Sequence, residues 1–366
     1  MTKRERFIRT LKFQPVDRTP DFEFGAWSQT LDRWHKEGLP KEYTDTWGVM
    51  SAYFGSEDGD FLNIGINVGL LPGFESKLLE EKGDHIIIQD NDGAICEMMR
   101  AELGASIPKY LRYYIESRDD WEKLRDERLN PAAPERIPPS IEEICRQSVE
   151  SDLPVRVGLG SLYGWIRNWM GVENLSYAIY DDPEWVEEMI EHLTVLTLSL
   201  LEKIAGKSKV DIGSWWEDMC FRSGSLLSPK HFAAWMVPRY KRITGFLRDE
   251  CGCEFHMLDC DGNIHDLVPL WLESGINVMY PLEAMHTDAY RISEAYGRRA
   301  PLMGYVDKRA LIEGKPAIDR EFERIRPLYL KGGFIPHTDH LVPPDVSLEN
   351  YMYYRERKQV FLNMDK

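Results

Sequence analysis

The sequence predicts a mixed α/β fold, a (β/α)8 TIM barrel with an elaborated N-terminal region, and three observations carry that reading. Strand-like and helical stretches alternate at an even pace through the second half of the chain, as βαβ units and a parallel sheet require. Roughly six such strands follow residue 140, and one or two more precede it, which approaches the eight of a closed barrel. The competing open, doubly wound sheet lacks its glycine-rich phosphate-binding turn here. A length of 366 residues suits one large barrel with additions.

In chain order, the first segment reads as a helix, with Phe7, Ile8, Leu11 and Phe13 apolar among basic residues, ending near Pro15. Asp21 to Phe24 is a short strand candidate. From about 27 to 136 the text is irregular, with Gly/Asp-rich patches and an Ile86 to Ile88 strand running into the turn Asn91-Asp92-Gly93. This is expected to be loops, hairpins and short helices inserted early in a single domain spanning 1–366. Asn130 to Ser140, with its four prolines, reads as a linker and an internal boundary. The regular strands follow at Val155 to Gly160, Val210 to Trp215, Glu254 to Leu258, Ile276 to Tyr280, Pro301 to Tyr305, and Gly333 to Pro336.

Composition excludes several classes. Hydrophobic residues at 43% and aromatics at 11% supply a sizeable core, so disorder is ruled out. A formal net charge of -16 repels phosphate backbones and anionic lipid heads, which argues against nucleic-acid and membrane-surface partners. The six cysteines are too sparse for a disulfide framework, and the basic start has no apolar signal core, so a cytoplasmic setting is expected.

The ends of the predicted strands are rich in ionisable residues. Glu217 and Asp218 follow one strand, Asp259 and Asp261 the next, then Glu283, then Asp307 and Lys308, then His337, Asp339 and His340. In a closed barrel these ends meet on one face, where barrel enzymes place their sites. Clustered carboxylates either raise one another's pKa to make a general acid or base, or bind a cation, and both remain open. Asp259, Asp261 and His340 are the candidate metal ligands, an oxygen/nitrogen set for zinc or another divalent ion. Cys260 lies between the two aspartates, so strand alternation turns it away from them. Glu217, Asp218, Glu283 and His337 are the candidate catalytic groups. Arg167, Trp216, Asp307 and Lys308 are the candidate substrate contacts, and Arg18 is a further anion-binding candidate. Trp215, Trp216, Tyr163, Trp165 and Trp169 read either as core or as the wall of a flat ligand site.

The chain also resembles the uroporphyrinogen decarboxylase superfamily. The resemblance runs from Asp17-Arg18-Thr19-Pro20 onward and is densest in the last third. It rests on Trp216-Glu217-Asp218-Met219, Asp259-Cys260-Asp261-Gly262-Asn263, Leu272 to Asn277, Pro281-Leu282-Glu283, Gly304 to Lys308, and Gly332 to Ile335 continuing to Pro343-Pro344-Asp345-Val346. It implies a barrel enzyme, either a decarboxylase or a cobalamin-dependent methyltransferase. Two departures matter. Where the decarboxylase carries arginines that grip substrate carboxylates, this chain reads Phe22 to Trp27 without one. Where the methyltransferases hold zinc with a His-x-Cys pair and a later Cys, it has Asp259, Asp261 and His340.

The resulting expectation is a methyltransferase or demethylase that passes a methyl group between a small substrate and a corrinoid on a partner protein. The alternative is a metal-independent decarboxylase of a small carboxylic acid, needing no cofactor, and a third reading is a non-catalytic binding protein. A homodimer is the base-rate expectation for oligomeric state.

Overall fold

In a computed structural model describing residues 1–100 and 108–364, the chain folds around a parallel sheet. The strands are β1 (Leu62–Ile64), β2 (Lys77–Lys82), β3 (His85–Gln89), β4 (Ile95–Met99), β5 (Lys109–Arg112), β6 (Val155–Gly158), β7 (Ile212–Trp216), β8 (Cys220–Phe221), β9 (Gly224–Ser225), β10 (Phe255–Asp259), β11 (Val278–Leu282), β12 (Leu302–Val306) and β13 (Phe334–Thr338). Seven of them pair in the order β1-β6-β7-β10-β11-β12-β13, all parallel. The rising order follows from right-handed crossovers that return each strand beside its predecessor.

The eighth position belongs to the extended segment at 20–26. It is held by isolated links rather than a long ladder: Ala26 bridges Val342 in parallel, and the Glu57 amide donates to the Asp21 carbonyl at 2.6 Å. Side chains close the cylinder. Phe22 packs in one buried cluster with Phe7, Ile212, Phe255, Val278, Met303 and Ile335, which come from β7, β10, β11, β12, β13 and the first helix. An open sheet would put Ile212 and Ile335 too far apart to share a cluster, whereas a barrel lumen brings them together.

Buried charge compensates for the short ladder. On the last helix (Leu348–Leu362), Arg355 meets Asp21 at 2.6 Å and Glu23 at 2.8 Å. Lys358, with no exposed side-chain surface, meets Glu23 at 2.6 Å and Asp21 at 3.0 Å and also donates to the Phe22 carbonyl. Charge-assisted contacts of this kind are the strong ones. Between β6 and β7 the helix Pro183–Leu201 starts on an Asp182 cap with Pro183 in its first turn and buries Val186, Met189, Ile190, Leu193, Leu196 and Leu200. Each such side chain contributes about 1.5–3 kcal/mol when fully buried.

The first helix covers Lys3–Leu11, and Phe7 and Leu11 are buried as expected. The regular strands appear where the alternation placed them, within two residues at each start. In the 27–136 region the Ile86–Ile88 strand and its turn are present, in the antiparallel sheet β2-β3-β4-β5. Two expectations there need correction. The region is not all insertion, because β1 within it is a wall strand paired with β6. The Asn130–Ser140 segment is not a loose linker either: Arg136 is wholly buried and donates to the carbonyls of Asn67, Gly69, Arg128 and Asn130. Four carbonyl partners anchor a segment whose prolines suggested only a boundary. Among the described residues no helix is long and apolar enough to cross a membrane.

Candidate active site

The carboxyl ends of β7, β10 and β11 open into a pocket of about 770 Å³. Its wall includes Arg167, Trp216, Asp218, Asp261, Glu283 and, from the antiparallel sheet and its following loop, Tyr110 and Tyr113. A surface groove beside Arg118 and Asp182 lies outside the barrel and gathers no strand-end residue. The strand-end pocket is where barrel chemistry is expected.

Glu217, the first residue after β7, has no exposed surface and faces away from the pocket. Its carboxylate accepts from Ser161 Oγ at 2.7 Å, from the amides of Leu162, Tyr163 and Gly164 at 2.8, 2.8 and 3.0 Å, and from the Tyr240 hydroxyl. With five donors around two oxygens, it fixes the turn leading into the helix Gly164–Met170, which carries Arg167. The geometry therefore makes Glu217 a positioning residue rather than the proton carrier its place in the sequence suggested.

Asp218 has a left-handed backbone, φ 43°, uncommon for a residue with a side chain. This turn brings its carboxylate to the Arg167 guanidinium at 3.3 Å, and Arg167 also donates to the Asp218 carbonyl. Arg167 lies over the Trp216 ring at 5.3 Å. Burial, opposed by Arg167 and reinforced by nearby Asp261, raises the Asp218 pKa. At the end of β10, Asp259 is half-buried, and its backbone carbonyl accepts from the amides of Glu217 and Asp218 at 2.9 and 3.1 Å. Burial first, and then the charges of Asp261 and Asp218, push its pKa well above the ordinary carboxylate value. Its protonated form is favoured accordingly, next to two further carboxylates.

Asp261 pairs with His340 at 3.1 Å. Gly262 follows with φ 82°, and a Cβ there would meet the Phe221 backbone at 2.9 Å, so glycine is what lets this loop lie against the β8–β9 hairpin. Glu283 accepts from the Gly262 amide at 2.7 Å and lies 3.6 Å from Lys308 Nζ. Lys308 Nζ is also 3.8 Å from Asp339, a buried carboxylate absent from the candidate set. Desolvation pushes Asp339 up to about 6, against the pull of Lys308.

Asp218, Asp259, Asp261, His340, Glu283, Lys308, Arg167 and Trp216 are thus gathered at one end of the barrel. Besides Glu217, three candidates are elsewhere. Asp307 caps the helix Lys308–Glu313, pairs with Arg309, and lines an outer groove with Arg320 and Arg324. His337 points into the lumen below the mouth. Arg18 is held by Glu57 at 2.7 Å, the surface-type ion pair that competes with any anion-binding role. The expected three-ligand metal site is not assembled: Asp261 and His340 engage each other, and among the described residues no three His, Cys, Asp or Glu side chains are grouped to hold a metal ion. Cys260 is turned into the core, as alternation predicted, and Trp215 is core while Trp216 forms pocket wall.

Sequence reasoning missed Tyr110, Tyr113, Phe221 and Arg222, all pocket-lining. Their signal was weak, because they come from a hairpin and sheet edge that carry no strand-end pattern. The Tyr110 and Tyr113 rings stack at 5.0 Å.

A parallel barrel with its ionisable groups collected at the carboxyl ends of the strands defines the class: a (β/α)8 barrel with a strand-end pocket. The sequence profile of the uroporphyrinogen decarboxylase (URO-D) family matches residues 97–357, and the chain belongs to that family. Among solved structures, a methyltransferase from Methanosarcina mazei is similar in fold, with a TM-score of 0.58 and 14% sequence identity over 98% of this chain and 99% of that one. No curated protein matches the sequence.

Proposed function

We propose that this protein is a methyltransferase or demethylase that moves a methyl group between a small substrate and a corrinoid carried by a partner protein. The observation that carries the reading is Asp259 at the carboxyl end of β10, whose protonated form is favoured by burial and by Asp261 and Asp218, two residues that line the substrate-sized pocket. Removing a methyl group from oxygen or nitrogen leaves the electron pair on that atom, and a neutral carboxylic acid beside it supplies the proton that makes it a leaving group. The corrinoid supplies the nucleophile that accepts the methyl group. The flat aromatic surface of Tyr110, Tyr113, Trp216 and Phe221 fits a planar macrocycle or an aromatic substrate at the mouth.

Within this chain, Arg167 and Trp216 orient the substrate, and Asp218 holds Arg167. Lys308 neutralises Glu283 and Asp339, so their charge does not add to that around Asp259. No step is assigned to a metal, since the donor set does not converge on one. The fold shared with a methyltransferase supports the reading.

The decarboxylase alternative draws support from the family profile and from the same Asp259, which in its protonated form would protonate the carbanion left by CO2 loss. Against it, Phe22–Trp27 offers Glu23 rather than arginine, and that glutamate is bound by Lys358.

The test is incubation with reduced cobalamin and a panel of methyl ethers, methylamines and methyl thioethers, following methylated corrinoid by absorbance. Methyl transfer by the wild type, falling about 100-fold or more in Asp259→Asn, is the expected result. Release of CO2 from a carboxylic acid, with no methyl transfer from any donor, would favour the alternative.

A further inference from the structure

Below the mouth, the barrel lumen holds a separate, partly open cavity of about 50 Å³. One side is apolar, formed by Phe7, Phe22, Phe61, Ile212, Met257 and Met303. The other presents Glu23, Asp58, Arg156, Tyr280 and His337. Close-packed interiors normally fill such a space with side chains.

The polar side has unspent hydrogen-bonding capacity. His337 Nδ1 lies 2.8 Å from the Thr338 carbonyl, which can only accept, so Nδ1 carries the proton and Nε2 is a bare acceptor. Nε2 is buried with no partner, and His337 is 1% exposed. Glu23 commits Oε1 to Tyr354, Arg355 and Lys358, while Oε2 is buried and unpartnered. The Tyr280 hydroxyl has no partner among the described residues, and Arg156 donates from Nε to Asn63 at 2.8 Å with its terminal nitrogens unassigned. A buried acceptor without a donor is costly, so the chamber is built for something that donates to Glu23 and His337 and accepts from Arg156.

We propose that this chamber is an internal binding site for a cluster of water molecules, a neutral donor-acceptor ligand that links Glu23, His337, Tyr280 and Arg156. A cation would be disfavoured by Arg156 and by Lys358 behind Glu23, and an anion by Glu23 and Asp58. At about 30 Å³ per water in the liquid, the space holds roughly two molecules. Their role is to solvate Arg156 and Glu23 inside a barrel whose lower half is otherwise phenylalanine and methionine. This hydration does not depend on the proposed methyl transfer.

The test is a crystal structure of the full chain at a resolution that orders water, together with oxygen-17 relaxation dispersion to count long-lived internal waters in solution. The expected result is density within hydrogen-bond distance of both His337 Nε2 and Glu23 Oε2. His337→Phe should remove most of the long-lived waters, and Tyr280→Phe, which keeps the ring, should remove about one. A dry or collapsed chamber, a direct bond between His337 and Tyr280, or an unchanged count in both variants would overturn the proposal.

Discussion

His340 Nε2 and Asp261 Oδ2 lie 3.1 Å apart, joining the loop after β10 to the loop after β13 across the mouth of the barrel. The pair holds the last strand end against the centre of the site and leaves Asp261 Oδ1 buried without a partner. His340→Ala should therefore leave Asp261 without its partner across the mouth. The expected stability loss is about 1–3 kcal/mol, measured by denaturant unfolding.

Glu217 is a second structural test. Glu217→Ala removes the acceptor for three backbone amides, Ser161 and Tyr240 at once. A loss of about 3 kcal/mol or more is expected from buried donors left without partners. Tyr240→Phe removes one of the five donors and should cost about 1 kcal/mol. A near-neutral Glu217→Ala would show that the turn before Gly164 is held by packing instead.

Asp339 gives a titration that can be read directly. Its folded pKa is raised from 3.8 to about 6 by burial, so the folded state binds more protons than the unfolded state between those values. Stability contributed by its protonated form is present at low pH and is lost as pH rises through that window. Lys308→Met removes a cation that holds the pKa down, so the carbon-13 titration of Asp339 should move above the wild-type midpoint. An unmoved midpoint would separate Lys308 from Asp339.

At the far end of the barrel the sign is opposite. Asp21 is lowered from 3.8 to about 2, with the Lys358 and Arg355 charges outweighing desolvation. The unfolded state binds the proton more readily, so Asp21 contributes roughly 2 kcal/mol above pH 4, lost as pH falls through about 2. Arg355→Met should shift acid unfolding to higher pH. Circular dichroism across that range checks it.

Much of the scaffold was readable because period-two strands and helical stretches alternate in a way only βαβ units produce. Ile212 and Trp216 face inward and Trp215 outward for the same reason. The mouth was readable from strand ends, since barrel geometry alone brings Asp218, Asp261 and Glu283 together. What the sequence hid was orientation. Glu217 and Asp218 are adjacent, yet a left-handed turn sends one into the core and the other to the pocket. Asp307 and Lys308 likewise part, because Asp307 caps the helix that Lys308 begins. The extended segment at 21–24 was readable, but its anchoring was not, because that is carried by Arg355 and Lys358, more than 300 residues away, rather than by a ladder.

The central proposal is that Asp259, beside the pocket, serves as a protonated acid, and infrared difference spectroscopy at pH 7 tests it most directly. A carboxylic-acid carbonyl band present in the wild type and missing from a folded Asp259→Asn variant is the predicted result. A wild-type spectrum in which Asp259→Asn removes only a carboxylate band would contradict it, and the proton donor would have to be sought elsewhere in the mouth.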